Sequence, residues 1–104
     1  MKICITSTGE DLKSKIDPRF GRAEFFIIYD TETKENEVIK NPYLSGGGAG
    51  IKAGQLMIDK GINLVISGSL GPNAKLALEK ADIKFKAADL TKLVEENLKN
   101  LKKT

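Results

Sequence analysis

The stretch INLVISGSLGPNA, residues 62–74, sets a buried strand, a tight turn and the start of a helix directly after one another. Its first six residues, INLVIS, are predominantly apolar, which is typical of a strand covered on both faces in a parallel sheet. The glycine-rich centre suits a tight turn, and Pro72 suits the first position of a helix because an N–H there has no helical partner. A buried strand that turns directly into a helix is the unit of an α/β sheet, so this stretch decides the fold class.

The rest of the chain predicts further strands and helices around this unit. The predicted strands are Lys2–Ser7, Glu24–Asp30, Glu37–Lys40, Ile62–Ser67 and Ile83–Ala87, and the predicted helices are Ala49–Lys60, Pro72–Ala81 and a last helix capped by Asp89. The polar turn between the second and third strands predicts an antiparallel hairpin. The order β-β-β-α-β-α-β-α therefore predicts a three-layer α/β/α fold with a five-stranded mixed sheet. We expect the first and fourth strands to be central and adjacent.

Length, charge and hydropathy narrow the class of protein. The 104 residues suit one small domain, so we predict a single domain over residues 1–104. The net charge of +3 is spread among lysines and glutamates, which predicts no concentrated basic face and no nucleic-acid partner. No apolar run reaches the length of a membrane span, and the N-terminal apolar stretch is too short for a signal peptide. We therefore expect a cytoplasmic protein with no membrane partner.

The sequence contains no histidine and one cysteine, Cys4. The missing histidine removes the commonest general base and the commonest metal ligand. A two-metal nuclease would need several converging carboxylates, and the first strand carries none. Cys4 lies within an apolar strand, so we predict a buried, inert thiol rather than a metal ligand. These residues predict that the protein is not an enzyme and has no protein-ligated metal.

Three loops are expected at one edge of the sheet, beyond the C-terminal ends of the central strands, where ligands bind in α/β folds. They are residues 17–23, residues 45–50 (SGGGAG) and residues 67–74 (SGSLGPNA). The two glycine-rich loops lead into helix N-termini, whose free N–H groups favour anions. Arg19 and Arg22 add two guanidinium groups beside them. The loops therefore predict a site for a phosphate, a carboxylate or an anionic metal cluster.

The same loop residues also have purely structural interpretations. The run from Gly46 to Gly50 matches neither the dinucleotide nor the phosphate-loop pattern, so it equally suits a flexible connector. The glycines of residues 68–71 equally suit a tight turn between strand and helix. Phe20 is expected to pack in the core rather than to stack on a ligand. The arginines could instead form surface ion pairs. Their candidate acidic partners are Asp17, Glu24 and Asp30.

Three segments resemble the dinitrogenase iron–molybdenum cofactor biosynthesis family. They are DPRFGRAEFF at residues 17–26, NPY…GGGAG at residues 41–50 and LVISGSLGPNAKLALEKADIKF at residues 64–85. The most specific pieces are FGRA at residues 20–23 and GPNA at residues 71–74, which stand in the family's order and spacing. This family comprises small accessory and cluster-carrier proteins of nitrogenase assembly and the tail domain of the cofactor-core synthase.

The resemblance implies a ribonuclease H-like fold without ribonuclease activity, in one nitrogenase accessory factor-like domain. It also implies non-enzymatic binding of an anionic iron–sulfur or iron–molybdenum cluster precursor, exchanged with cluster-donating or cluster-accepting proteins. Carried over residue by residue, the implied cofactor-binding residues are Arg19, Phe20, Gly21, Arg22, Gly47, Gly48, Gly50, Gly71, Pro72 and Asn73.

The sequence departs from the family pattern in its metal ligands. It has no histidine, and its one cysteine is predicted to be buried, whereas thiolate is the usual ligand of iron–sulfur clusters. Cluster binding would then be electrostatic, or would use a cluster ligated by other molecules. Two alternatives stay open: a regulator that binds phosphate, a nucleotide or another small anion, and a protein-interaction module.

Overall fold

The computed structural model describes residues 1–102, with the side chains of residues 1–101, and contains five strands and three helices in the predicted order. The strands are β1 (Lys2–Ser7), β2 (Phe25–Asp30), β3 (Asn36–Lys40), β4 (Leu64–Ser67) and β5 (Lys84–Ala87), and the helices are α1 (Ala49–Asp59), α2 (Pro72–Lys80) and α3 (Val94–Lys102). The sheet order is β3-β2-β1-β4-β5. The antiparallel β2–β3 hairpin and the central parallel pair of β1 and β4 are confirmed.

Helices cover both faces of the sheet, as predicted. One apolar cluster joins Cys4 of β1 to Met57 of α1 and Leu78 of α2. The other joins Ile3 and Ile5 of β1 to the buried residues of α3. Neighbouring β1 residues enter opposite clusters because side chains alternate along a strand. No helix within residues 1–102 is long and apolar enough to cross a membrane.

The start of the last helix was predicted wrongly. Asp89 does not cap α3: its carboxylate accepts hydrogen bonds from the backbone N and the hydroxyl of Thr91, in a turn that precedes the helix. The helix begins at Val94, whose N–H donates to the carbonyl of Ser14 at 3.0 Å. The next N–H, of Glu95, donates to the carbonyl of Leu12 at 2.8 Å. A distant loop therefore satisfies the first helical donors, which the local pattern alone does not show.

The segment between β1 and β2 has defined structure, although it contains no helix or long strand. It pairs with the end of β1 through a bridge between Ser7 and Ile16, and it buries Ile16 and Phe20. The N–H of Asp17 donates to the carbonyl of Thr6 at 3.0 Å, which holds the following residues at the end of β1. The chain is thereby positioned at the C-terminal edge of the central strands.

Candidate functional site

The three loops predicted to share one edge of the sheet meet there around a cleft of about 400 Å³. They share this edge because β1 and β4 are parallel, so that both strands end on the same side. Nine of the ten predicted site residues line the cleft, namely Arg19, Phe20, Gly21, Arg22, Gly48, Gly50, Gly71, Pro72 and Asn73. The tenth, Gly47, is not among the lining residues.

Two glycines allow the loops to lie directly against one another. A Cβ atom on Gly68 would lie 2.6 Å from the carbonyl oxygen of Pro18, and one on Gly21 would lie 2.8 Å from the backbone nitrogen of Gly50. Because both obstacles are backbone atoms, no side-chain rotation would relieve either contact. Gly21 and Gly68 are therefore required by close packing of the first loop against α1 and against the turn before α2.

The first loop is organised by the buried side chain of Asp17. Its Oδ1 atom accepts hydrogen bonds from the backbone N–H of Arg19 at 3.0 Å and from the Arg19 Nε at 3.4 Å. Its Oδ2 atom accepts a hydrogen bond from the N–H of Glu24 at 3.2 Å. Of the ion pairs that the sequence left open, Arg19 thus forms the one with Asp17, but the Arg19 side chain is still 61% exposed. Asp17 orients this arginine and leaves the outer part of its guanidinium group accessible.

Arg22 holds the glycine-rich loop rather than a carboxylate. Its Nη1 atom donates to the carbonyl of Leu44 at 3.2 Å, and its Nη2 atom donates to the carbonyl of Gly46 at 3.5 Å. Within the described part of the chain, no acidic side chain forms an ion pair with it. The alternative of a surface ion pair therefore does not apply to Arg22, and β2 carries one candidate partner, Asp30, to the opposite end of the sheet.

Both helix N-termini at the cleft lack the groups that usually neutralise them. Helix α1 follows Gly48, which has a left-handed backbone with φ of 74°, and α2 follows Gly71. Neither helix has a side-chain cap or an acidic residue in its first turn. In the part of the chain that the structure describes, the residues that line the cleft include two arginines and no acid. The N-terminal N–H groups and the guanidinium groups together make the cleft electropositive.

Two predicted roles at the site are settled by burial. The ring of Phe20 is 2% exposed and packs against Phe26, with the ring centroids 5.9 Å apart, so the prediction of a packing residue is confirmed. Cys4 is fully buried in the sheet and does not line the cleft. Burial raises the pKa of its thiol far above the ordinary range. Within residues 1–102, no group of three cysteine, aspartate or glutamate side chains could hold a metal ion.

The sequence of the whole chain, residues 1–104, matches the family described as dinitrogenase iron-molybdenum cofactor. The chain belongs to this family. An uncharacterized protein of Methanocaldococcus jannaschii is 30% identical over 86 residues, which make up 79% of this chain and 73% of that protein. The predicted family is therefore confirmed.

Two solved structures have the same fold. The NMR structure of a NifB-like Thermotoga protein of the DUF35 family has a TM-score of 0.86 at 35% identity, and the match covers 98% of this chain and 87% of that one. The apo form of the orange protein from Desulfovibrio gigas has a TM-score of 0.90 at 33% identity, with the same coverage of 98% and 87%. These matches confirm the predicted α/β architecture with its five-stranded mixed sheet.

In this member of the dinitrogenase iron–molybdenum cofactor family, one residue important for the cleft was missed in the sequence. The buried amide of Asn41 donates hydrogen bonds to the carbonyls of Gly21 at 2.9 Å and Ala23 at 2.8 Å, and accepts one from the N–H of Tyr43 at 2.8 Å. It therefore joins the first loop to the segment that leads into the second. Asn41 and Asp17 both precede a proline, and this pairing, which favours turns, is the signal that could have identified both.

We expect Asn41→Ala to lower the free energy of unfolding by about 3 kcal/mol, because one buried and one partly buried carbonyl would lose their donor. Urea denaturation monitored by circular dichroism measures the change. Asn100→Ala is the matched control, since Asn100 is exposed on α3 and its replacement should change stability by less than about 0.5 kcal/mol. Equal stability of the two variants would contradict a structural role for Asn41.

We expect the Cys4 thiol to be unreactive toward a disulfide reagent in the native protein and reactive in denaturant. Since burial raises its pKa only in the folded state, the native thiol keeps its proton above about pH 8.5, where the unfolded chain loses it. The contribution of this thiol to the free energy of unfolding is therefore fully present below about pH 8.5, and it falls as the pH rises further. The free energy of unfolding should fall more steeply above about pH 9 in the wild type than in Cys4→Ala. Rapid labelling of the native protein would show that Cys4 is accessible.

Proposed function

We propose that this protein is a non-enzymatic carrier whose cargo is an anionic iron–sulfur or iron–molybdenum cluster precursor held in the cleft. The observation that carries the proposal is the convergence of Arg19, Arg22 and two uncapped helix N-termini on a cleft without an acidic lining residue. Membership of the family connects the chain to the dinitrogenase iron–molybdenum cofactor. The carrier would receive the cargo from a cluster-donating protein and pass it to a cluster-accepting one.

The residues of the cleft fit a cluster that arrives with its own ligands. No thiolate is available there, because Cys4 is buried in the sheet and burial holds its pKa high. The backbone N–H groups and the arginines can instead donate hydrogen bonds to sulfide, thiolate or oxygen atoms of the cargo. Transfer would then break hydrogen bonds and no metal–protein bond, which suits a carrier. The D. gigas orange protein, 33% identical, is described as an apo form, which supports a role in binding a further group.

The test is anaerobic binding of two defined anions, a preformed four-iron cluster with small thiolate ligands and a thiomolybdate. We expect the protein to elute from a gel-filtration column with about one cluster per chain, measured by visible absorbance and by iron or molybdenum content. Electrostatic binding should weaken as salt rises from about 0.05 M to about 0.5 M. If neither anion elutes with the protein at low salt, or if binding is lost in Cys4→Ala alone, the proposal is wrong.

A small-anion regulator is the second candidate, favoured by the two helix N-termini, which suit phosphate groups. It predicts that inorganic phosphate or a nucleotide raises the melting temperature, because a ligand that binds only the native state stabilises it. A shift with these ligands, together with no uptake of either cluster probe, would favour this candidate. No shift at about 5 mM of any of them would reject it.

A further inference from the structure

The last strand of the sheet, β5, has an open edge. Within residues 1–102, it pairs with β4 alone, and its four residues are all exposed. The N–H of Lys84 donates to the carbonyl of Asn63, and that of Ala88 donates to the carbonyl of Ser67. Because backbone groups alternate in direction along a strand, the N–H and C=O groups of Phe85 and Ala87 point away from the sheet. The edge therefore offers two donors and two acceptors to an additional strand.

An apolar groove runs beside this edge. It has a volume of about 540 Å³ between α2 and β5, and its apolar lining includes Leu70, Leu78, Ile83 and Phe85. Phe85 is in register with Val65, so it lies on the face of the sheet that α1 and α2 cover, yet its side chain is 39% exposed. The groove shares no lining residue with the cleft. The two sites are thus separate surfaces.

The opposite face of β5 is basic. Lys84 and Lys86 are in register with Leu64 and Ile66, which belong to the cluster on the α3 side. Among the described residues, neither lysine forms an ion pair. The groove lining itself has no excess of positive charge, because its charged residues other than Lys84 are Lys75, Glu79 and Asp82. The charge preference of this edge therefore comes from the two lysines of β5.

We propose that β5 binds an extended segment of a partner protein as a sixth strand, and that this segment alternates acidic and apolar side chains. Its acidic side chains would lie opposite Lys84 and Lys86, where opposite charges stabilise a strand pair. An apolar side chain would lie opposite Phe85 and reach the groove. Main-chain hydrogen bonds to Phe85 and Ala87 would supply affinity, and the alternate side chains would supply specificity.

A second copy of the chain fits this edge poorly. Antiparallel pairing of two β5 strands about a two-fold axis, centred anywhere from Lys84 to Lys86, places a lysine opposite a lysine of the other copy. Like charges directly opposite each other destabilise a strand pair. The lysines therefore select against self-pairing and in favour of an acidic partner segment. This inference does not depend on what the cleft binds.

The probe is a fluorescently labelled synthetic peptide that alternates glutamate and valine, with an alternating lysine and valine peptide as its matched control. We expect fluorescence anisotropy to show binding of the glutamate peptide at least about tenfold tighter than that of the lysine peptide. In NMR spectra of the full chain, the amide signals of Phe85 and Ala87 should shift and become protected from hydrogen exchange. Equal affinity for the two peptides, or shifts confined to the cleft, would overturn the proposal.

A charge reversal makes the test independent of folding defects. The double variant Lys84→Glu/Lys86→Glu changes exposed side chains and should reverse the preference, so that the lysine peptide binds tighter. The variant Lys92→Glu/Lys99→Glu has the same net charge, alters exposed residues elsewhere and should keep the wild-type preference. An unchanged preference in the β5 variant would overturn the proposal. The proposal would also be overturned if neither peptide bound and sedimentation showed concentration-dependent dimerisation through β5. A second copy of the chain would then occupy the edge.

Discussion

Gly68→Ala is expected to lower the free energy of unfolding by about 3 kcal/mol, the upper range for forcing extra volume into a packed site. The new Cβ atom would lie 2.6 Å from the carbonyl oxygen of Pro18 and 2.7 Å from its Cα atom, and neither backbone atom can move without displacing the first loop. For a chain of this length, the loss corresponds to a fall in melting temperature of about 15 °C. Calorimetry or thermal denaturation followed by circular dichroism measures it.

Gly47→Ala is the control for this effect. A Cβ atom on Gly47 would meet nothing within 4 Å, so the same chemical change should alter stability by less than about 0.5 kcal/mol. Because Gly47 does not line the cleft, this variant should also bind the cluster probes like the wild type. Wild-type stability of Gly68→Ala would mean that the first loop and the turn after β4 lie farther apart in solution.

The double variant Arg19→Ala/Arg22→Ala is expected to bind the anionic cluster probes at least about 100-fold more weakly than the wild type. Each charge-assisted hydrogen bond contributes about 1.5–3 kcal/mol, so two arginines account for a factor of that size or larger. The stability of the chain should change little, because Arg19 is 61% exposed and exposed ion pairs contribute at most about 1 kcal/mol. Anaerobic titration followed by visible absorbance gives the affinity, and urea denaturation gives the stability.

The matched control is Lys80→Ala/Lys99→Ala, which removes the same charge from exposed residues outside the cleft lining. It should change the affinity by less than about threefold if the arginines act at the site rather than through net charge. Equal loss of affinity in the two double variants would show that binding is non-specific attraction to a basic protein. That outcome would leave the β5 proposal intact, because β5 lies at a separate surface.

Much of the architecture followed from local sequence pattern. The apolar run that ends at Ser67 predicted a buried parallel strand, and this strand is β4 beside β1. Pro72 predicted the start of α2, which begins at that residue. Such predictions succeed because burial on both faces and helix initiation depend on the chemistry of consecutive residues. The edge of the sheet at which the three loops meet was predicted from strand direction alone.

The errors concern contacts between residues far apart in the chain. Asp89 has the chemistry of a helix cap, yet α3 begins at Val94. The carbonyls of Leu12 and Ser14, in the segment after β1, accept the hydrogen bonds of its leading N–H groups. The sequence left open a surface ion pair for Arg22, yet its guanidinium group donates to the carbonyls of Leu44 and Gly46. Hydrogen bonds of this kind depend on where the chain folds back on itself, and the pattern of neighbouring residues does not determine that.

Residue type alone was enough to establish the mixed α/β sheet, the buried thiol of Cys4 and a cationic loop beside two helix N-termini. Only the folded chain decided that the cationic loop and the two helix N-termini form one cleft, since Gly21 and Gly68 permit backbone contacts at distances that any Cβ atom would prevent. It also decided that Asp17 and Asn41 hold the loops around that cleft. The physical reason is that helix and strand formation are governed by neighbours in sequence, whereas loop positions are governed by steric fit and hydrogen bonds between distant segments.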